Sequence, residues 1–253
     1  AGDLKDWQTP PFEATVVGDY LVGRGVQDDK GPSLAALYAV KSLLDDGIQF
    51  TKRIRFIFGT DEETLWRCMN RYNQMEEQAD LGFAPDSAFP LTYAEKGLLQ
   101  VKLHGPGWDD LPLQAGQALN VVPDKATYAG HRLEELLPVL DQSGVQYSQT
   151  EDSVTVMGVS KHSKDAAEGV NAIVGLAESL SLIQPHPALL FIADAVGEDA
   201  TGEALFGKIT DEPSGDLSFN LATLVIDQEQ SEIGIDIRIP VLADKENLVA
   251  RLQ

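Results

Sequence analysis

The spacing of apolar residues predicts alternating strands and helices over roughly the first 95 residues. Residues 52–59 form a short apolar run that is typical of a buried strand. A helix is predicted between Pro32, which can start one, and Gly47, which can end one, because the apolar residues between them lie largely on one helical face. This alternation is typical of a mostly parallel sheet whose strands are joined by helices.

Beyond this first part the pattern changes to that of an α+β domain. Residues 98–104 alternate like a strand, and helical spacing follows at about 131–142 and 167–182. Strands and helices no longer take turns along the chain. The sequence therefore predicts an α/β domain over residues 1–95 and an α+β domain over residues 96–253.

Two alternating stretches near the end of the chain predict an antiparallel hairpin. Leu217–Val225 and Ile233–Ile239 each place apolar residues at every second position, and a short polar turn separates them. Such alternation is typical of strands with one face in the core and the other toward water. We therefore expect the hairpin to have one buried face.

The charge of the chain restricts its partners. The 253 residues carry 19 Lys and Arg against 40 Asp and Glu, a formal net charge of -21 at pH 7. That charge repels phosphate backbones and anionic membranes, so neither nucleic acid nor a membrane surface is an expected partner. With 43% hydrophobic residues the chain can nevertheless form a substantial core.

Cysteine usage points to a reducing compartment. Cys68 is the only cysteine, so the chain can form no internal disulfide and no thiolate-rich metal site. It lies in a helical-looking run, where a buried thiol is the simplest interpretation. No apolar run approaches the ~20 residues that a membrane span needs. A cytoplasmic location fits these observations best.

Acidic residues directly follow three apolar runs. They are Asp28 with Asp29, the group Asp61, Glu62 and Glu63, and Asp86. Ligands in open α/β sheets bind outside the carboxyl ends of the strands, where carboxylates from several strands can supply a metal ion with oxygen ligands. Acids in the first turn of a helix have an ordinary alternative role, because they complement the helix dipole. Three such segments together favour a metal-dependent hydrolase.

The motifs around these acids resemble the M20 family of metallopeptidases. They are Gly-Arg-Gly-Val-Gln-Asp-Asp-Lys-Gly-Pro at residues 23–32, Thr-Asp-Glu-Glu at 60–63 and Pro-Asp-Ser-Ala-Phe-Pro at 85–90. Within the family the chain most resembles the PepV-like dipeptidases of the Xaa-His type. Residues 7–12, 158–162 and 169–172 extend the resemblance over essentially the whole chain, the last two matching a signature of the family's lid domain.

The resemblance implies roles for the acidic residues. Asp28 would bridge two zinc ions, and Glu63 and Asp86 would each ligate one metal, with Mn or Co as other plausible ions. Glu62 would act as the general base that takes a proton from the bridging water. The family also often has a cis peptide bond after the bridging aspartate, which here is the bond between Asp28 and Asp29.

The resemblance also implies substrate contacts from the α+β domain, which would act as a lid. Asn120, His162 and Arg238 match residues that similar dipeptidases use, with His162 near the developing oxyanion and Arg238 near the substrate carboxylate. A guanidinium suits that task because its planar fork can bind both carboxylate oxygens. Taken without the family, His162 is an ordinary loop histidine and Arg238 a solvated residue on the polar face of its strand.

The resemblance predicts hydrolysis of the peptide bond of short peptides, chiefly dipeptides, by a monomeric enzyme. The family's His-x-Asp motif and its later histidine ligand have no counterpart in this sequence. We therefore expect an internal fragment with an incomplete catalytic domain and a better-ordered lid. Two alternatives stay open. One is another M20-type amidohydrolase, a deacylase or a carboxypeptidase, and the other is a catalytically inactive fragment.

Overall fold

The chain forms two compact units, which meet along the sequence at residues 92 and 93. A computed structural model describes residues 4, 7–62, 66–87 and 89–252. Every strand pair among them is antiparallel. No helix in these ranges is long and apolar enough to cross a membrane.

Among its described residues, the first unit contains one small hairpin and two α-helices. Its elements are strand β1 (Thr15–Val17), strand β2 (Tyr20–Val22), helix α1 (Gly31–Asp45) and helix α2 (Arg67–Met75). Helix α1 confirms the helix predicted between Pro32 and Gly47. Pro32 occupies its first turn, and Gly47 has a positive φ of 80° just beyond its end. Proline fits a first turn because the backbone N–H groups there have no partner within the helix.

The predicted parallel sheet of the first unit is wrong. Residues 52–59, expected to be a buried strand, pair with no strand among the described residues. Ile54 is 44% exposed and Phe58 is 68% exposed. A strand needs partners for its backbone groups and a layer to cover its side chains. Because neither is present in the described part of this unit, the apolar run does not become a core strand.

The main sheet of the second unit has four strands in the order β3–β11–β10–β4. The strands are β3 (Gly97–Pro106), β4 (Leu113–Ala115), β10 (Ser218–Ile226) and β11 (Gln230–Ile239). Strands β10 and β11 confirm the predicted hairpin, with Phe219 opposite Ile237 and Leu221 opposite Ile235. A register irregularity follows Leu221.

The other elements surround this sheet. A three-stranded sheet in the order β5–β7–β6 is formed by β5 (Lys125–Tyr128), β6 (Tyr147–Gln149) and β7 (Val154–Met157), and a short ribbon by β8 (Thr210–Asp211) and β9 (Gly215–Asp216). The helices are α3 (Leu133–Ser143), α4 (Ala172–Ser181), α5 (Pro187–Phe191), α6 (Glu203–Phe206) and α7 (Lys245–Leu252). Helices α3 and α4 confirm the two predicted helical regions.

The core lies in the second unit. All apolar side chains that are buried in the described part of the chain fall between Leu111 and Leu248. One face of β11 contributes four isoleucines to it, Ile233, Ile235, Ile237 and Ile239, each at most 4% exposed. They belong to the same apolar cluster as residues of helices α4 and α5. Burying each such side chain contributes about 1.5–3 kcal/mol.

The opposite face of the same hairpin is polar and is also largely buried. Ser218 and Asn220 on β10 and Asp236 on β11 are 6%, 1% and 0% exposed. Loop segments lie over them, since Asn220 Nδ2 donates hydrogen bonds to the carbonyls of Leu119 and Val121, each at 3.0 Å. The prediction of one buried face is therefore too narrow. Alternation separates the apolar from the polar face but does not reveal that loops cover the polar one.

Candidate functional site

The first acidic segment lies in a turn before helix α1. Asp28 and Asp29 belong to the turn Val26–Lys30, and the peptide bond between them is cis, the isomer that the family resemblance implies. Asp28 is exposed, whereas Asp29 Oδ2 accepts a hydrogen bond from Ser33 Oγ at 3.1 Å. Asp29 Oδ1 is buried and has no hydrogen-bond partner among the described residues. The turn thus offers carboxylate oxygens in two different environments.

The second acidic segment is tied to helix α2 by the residue before the predicted general base. Asp61 Oδ2 accepts hydrogen bonds from the backbone N of Arg67 at 3.0 Å and from Arg67 Nε at 2.7 Å, and Oδ1 accepts one from Nη2 at 3.1 Å. Such a bidentate ion pair between an arginine and a carboxylate is stronger than a single hydrogen bond, and its geometry is more specific. Glu62 is exposed next to it. Glu63, the predicted metal ligand, lies outside the described residues.

The described acids do not form a metal centre by themselves. Asp86 is exposed in an irregular stretch, and within the ranges described above no three His, Cys, Asp or Glu side chains are close enough to hold a metal ion. The predicted ligand set of Asp28, Glu63 and Asp86 stays a prediction, because Glu63 lies outside the described residues. Carboxylates suit a divalent metal in kind, but zinc usually takes four ligands that include nitrogen or sulfur. A complete site would need Glu63 and further donors.

Asn120 and His162 lie on paired segments of the second unit. Val121 and His162 face each other across a short antiparallel bridge, and Ser163 N donates a hydrogen bond to the Asn120 carbonyl at 2.9 Å. Both Asn120 and His162 are exposed. This backbone pairing brings together two predicted substrate-binding residues that are 42 positions apart in the sequence.

The ring of His162 has a defined tautomer. Its Nδ1 accepts a hydrogen bond from Lys164 N at 3.2 Å, so the neutral ring carries its proton on Nε2. Desolvation lowers the pKa of His162 below its ordinary value, and the positive charges of Arg238 and Lys164 lower it further. At neutral pH the ring is therefore neutral and presents an N–H donor, which is the group that an oxyanion requires.

Arg238 is held by a buried carboxylate. Arg238 Nε donates to Asp236 Oδ1 at 2.8 Å and Nη2 lies 3.4 Å from Oδ2, while Gln100 Nε2 donates to Oδ2 at 2.8 Å. The Arg238 side chain is 20% exposed and that of Asp236 is 0% exposed. This contradicts the interpretation of Arg238 as an ordinary solvated residue.

Arg238 also lies near the His162 segment. Ser218 is opposite Arg238 in the register of β10 and β11, and Ser218 Oγ donates to the Ser163 carbonyl, one residue after His162. The second unit therefore gathers the segments of all three predicted substrate contacts, Asn120, His162 and Arg238, on the polar side of one hairpin. Their roles toward a substrate stay predictions.

Three residues in this region escaped the sequence analysis. Asp236, Asn220 and Gln100 support the predicted contacts from the polar face of the sheet. The available signal was an acid two positions before Arg238 in a strand otherwise rich in isoleucine. Two residues apart on a strand means the same face, so the pair could have been predicted. The burial of Asp236 could not.

Comparison with known protein families identifies the class of this chain, a peptidase. Residues 1–252 match the model of peptidase family M20/M25/M40, and the chain belongs to this family. It is 35% identical over 263 residues to a protein of Bacillus subtilis (strain 168) named "Putative dipeptidase YtjP", covering 95% of this chain and 57% of that protein. It is 36% identical over 265 residues to "Putative dipeptidase MW1694" of Staphylococcus aureus (strain MW2), covering 95% of this chain and 56% of that protein. The chain thus spans little more than half the length of these relatives.

Proposed function

We propose that the protein hydrolyses the peptide bond of short peptides, chiefly dipeptides, as a cytoplasmic monomer. Family membership supports peptidase chemistry, and the names of the relatives support a dipeptidase. The observation that carries the proposal is the gathering of Asn120, His162 and Arg238 on one side of the β10–β11 hairpin. The Arg238 guanidinium and the neutral His162 Nε2–H suit the two negatively charged groups of a reacting dipeptide. These are its carboxylate and the oxyanion that develops on its scissile carbonyl.

Each residue has a role in this proposal. Arg238 binds the substrate carboxylate and Asn120 a backbone group of the peptide. The Nε2–H of His162 donates to the oxygen of the scissile carbonyl as negative charge builds on it. Glu62 takes a proton from the attacking water and delivers it to the leaving amine.

The metal belongs to the proposal and would be held by Asp28, Glu63 and Asp86, with donors that the described residues do not include. When bound, zinc or another divalent ion supplies Lewis-acid polarisation and an acidified water. Residues 96–253 act in the proposal as the lid that carries the substrate contacts.

The decisive experiment compares dipeptide hydrolysis by the chain and by its Glu62→Gln variant at neutral pH with zinc present. We expect the variant to lose at least ~100-fold in kcat, because the proton acceptor is gone while the shape is kept. Glu13→Gln, an exposed acid outside all three motifs, is the matched control and should retain activity. Equal activity of the chain and the Glu62→Gln variant would refute the assignment.

The same assay separates the proposed function from its neighbours within the family. A dipeptide with a free amino group and an N-acyl amino acid share the carboxylate that Arg238 would bind and differ at the other end. Cleavage of the N-acyl amino acid alone would identify a deacylase. Binding of a dipeptide without turnover by the chain would identify an inactive binding module.

A further inference from the structure

The polar face of the main sheet carries a row of three side chains on neighbouring strands. Gln100 on β3 lies opposite Asp236 on β11, and Asp236 lies opposite Asn220 on β10. Asp236 and Asn220 are almost fully buried. Side chains directly opposite each other on one sheet face are close enough to interact, and the sheet fixes their spacing. A row of polar residues under loops is costly unless its groups are satisfied, so its contacts need an explanation.

The contacts of the row lead to two predicted substrate-binding residues. The Asp236 carboxylate accepts hydrogen bonds from Nε and Nη2, along one edge of the Arg238 guanidinium. Asn220 Nδ2 holds the carbonyls of Leu119 and Val121, which flank Asn120 on both sides. Gln100 fixes the carboxylate of Asp236 from the far side. One row of side chains therefore sets the positions of Arg238 and of the backbone around Asn120.

The geometry leaves one edge of the Arg238 guanidinium available for a ligand. A guanidinium can bind a carboxylate through its Nε–Nη edge or through its Nη–Nη edge. Asp236 occupies the first edge, and Nη1 has no hydrogen-bond partner within the described ranges. The side chain is 20% exposed, so the remaining edge is the one that a ligand can approach.

We propose that Asp236 is a positioning residue, which aims the Nη edge of Arg238 at the carboxylate of a peptide ligand. The proposal rests on the proposed function for the identity of the ligand. Asp236 does not touch the ligand. Its carboxylate fixes the orientation of Arg238 before binding, so that less side-chain freedom is lost when the ligand carboxylate is bound. Without Asp236 the long arginine side chain loses that orientation, and the preference for a charged C-terminus falls.

The test measures how strongly the protein prefers a free carboxylate. The dissociation constants of Ala-Ala and of Ala-Ala amide are measured by calorimetry with zinc present, in a Glu62→Gln background that prevents turnover. The parent in this test is the Glu62→Gln variant. It should bind Ala-Ala about tenfold or more tightly than Ala-Ala amide, the typical effect of a charge-assisted hydrogen bond. Asp236→Asn should reduce this ratio to about one to three. Arg238→Lys, which removes the fork, serves as the benchmark and should fall in the same range.

A matched control lies on the same strand and the same face. Glu232 pairs with Lys102 at 2.8 Å, four residues before Asp236, so Glu232→Gln also removes a carboxylate from this face. The control should keep the acid-to-amide ratio of the parent. If Asp236→Asn folds poorly, Gln100→Met provides a second variant, since it frees only one side of the Asp236 carboxylate and should reduce the ratio in part.

The outcomes are distinct. The proposal is overturned if Asp236→Asn keeps the acid-to-amide preference of the parent. It is also overturned if Glu232→Gln loses as much of that preference as Asp236→Asn does. A parent that binds acid and amide equally, or neither, overturns it too, because Arg238 then has no carboxylate to orient. A parent that shows the preference while the chain with Glu62 intact hydrolyses nothing refutes the proposed function and leaves the positioning role of Asp236 standing.

Discussion

Replacing His186 tests how helix α5 is joined to the main sheet. His186 is 1% exposed. Its Nδ1 accepts a hydrogen bond from Ala188 N at 3.1 Å and so caps helix α5, while Nε2 donates to the carbonyl of Pro106, at the end of β3, at 3.0 Å. The ring also stacks on Trp108, with the centroids 5.8 Å apart. One buried side chain thus joins a helix start to a strand end.

The two hydrogen bonds can be separated by two substitutions. His186→Asn can keep the cap but loses the hydrogen bond to the Pro106 carbonyl, which contributes about 0.5–1.5 kcal/mol. His186→Ala loses the cap as well, about 1 kcal/mol more, in addition to packing. Urea unfolding followed by the fluorescence of Trp108, with Trp7 and Trp66 replaced by Phe, measures both. A loss below about 0.5 kcal/mol in His186→Asn would contradict the reasoning, since the hydrogen bond from His186 to Pro106 would then contribute nothing measurable.

The same residue gives stability a defined pH dependence. Burial lowers the pKa of His186 below its ordinary value, so between the two pKa values the unfolded state binds more protons than the folded state. The stability contribution is therefore complete above pH ~6.5 and is lost as the pH falls toward the folded-state pKa. His186→Asn should show a shallower loss between pH 7 and 5. A slope in His186→Asn equal to that of the unsubstituted chain would refute the assignment.

Three further outcomes follow from the sequence and the packing. Zinc binding by this chain is expected to be weak, because Asp28, Glu63 and Asp86 supply no nitrogen or sulfur donor, and Glu63→Ala should weaken it further; calorimetry with elemental analysis measures both. Gly116 and Gly144 both have a positive φ, but Gly116→Ala would place a Cβ 1.9 Å from a carbonyl oxygen of β10, whereas Gly144→Ala meets nothing within 4 Å. Thermal unfolding should show a loss of stability of about 1 kcal/mol for Gly144→Ala, from backbone strain alone. Gly116→Ala should lose about 1–3 kcal/mol more, because of the clash. Tyr128→Phe removes the buried bond from Tyr128 Oη to Gln184 Oε1, 2.9 Å long, and should cost about 1–3 kcal/mol in urea unfolding.

Elements whose signal is local were predictable from the sequence. Helix α1 carries its own start and stop residues, and strands β10 and β11 carry their own alternation. The run at residues 54–58 differs, because whether an apolar run becomes a buried strand depends on the layers around it rather than on its own composition. Its high exposure in the described structure reflects that dependence.

The candidate site also contains residues that the sequence predicts and residues that it does not. Asn120, His162 and Arg238 could be named from motifs, and the structure brings their segments together. What the motifs could not give was the support beneath them, since Asp236 and Asn220 are separated by 16 positions and become neighbours only through the register of β10 and β11. A polar residue on the outer face of a hairpin is normally solvated. Its burial here depends on loops that come from distant parts of the chain.

The hydrogen bonds between the β10–β11 hairpin and the predicted substrate contacts bear on which ligands can bind. The three contacts belong to segments around residues 120, 162 and 238. Buried Asn220 and Ser218 donate hydrogen bonds to the first two segments, and buried Asp236 accepts one from Arg238. A register is set in steps of whole residues and does not stretch continuously. The separation between the remaining edge of the Arg238 guanidinium and the Nε2–H of His162 therefore depends on the register of the hairpin. Under the proposed function, a ligand whose carboxylate and scissile carbonyl match that separation would be bound at both points, while one with a residue inserted between these two groups would reach only one, so the hairpin would favour cleavage of the last peptide bond.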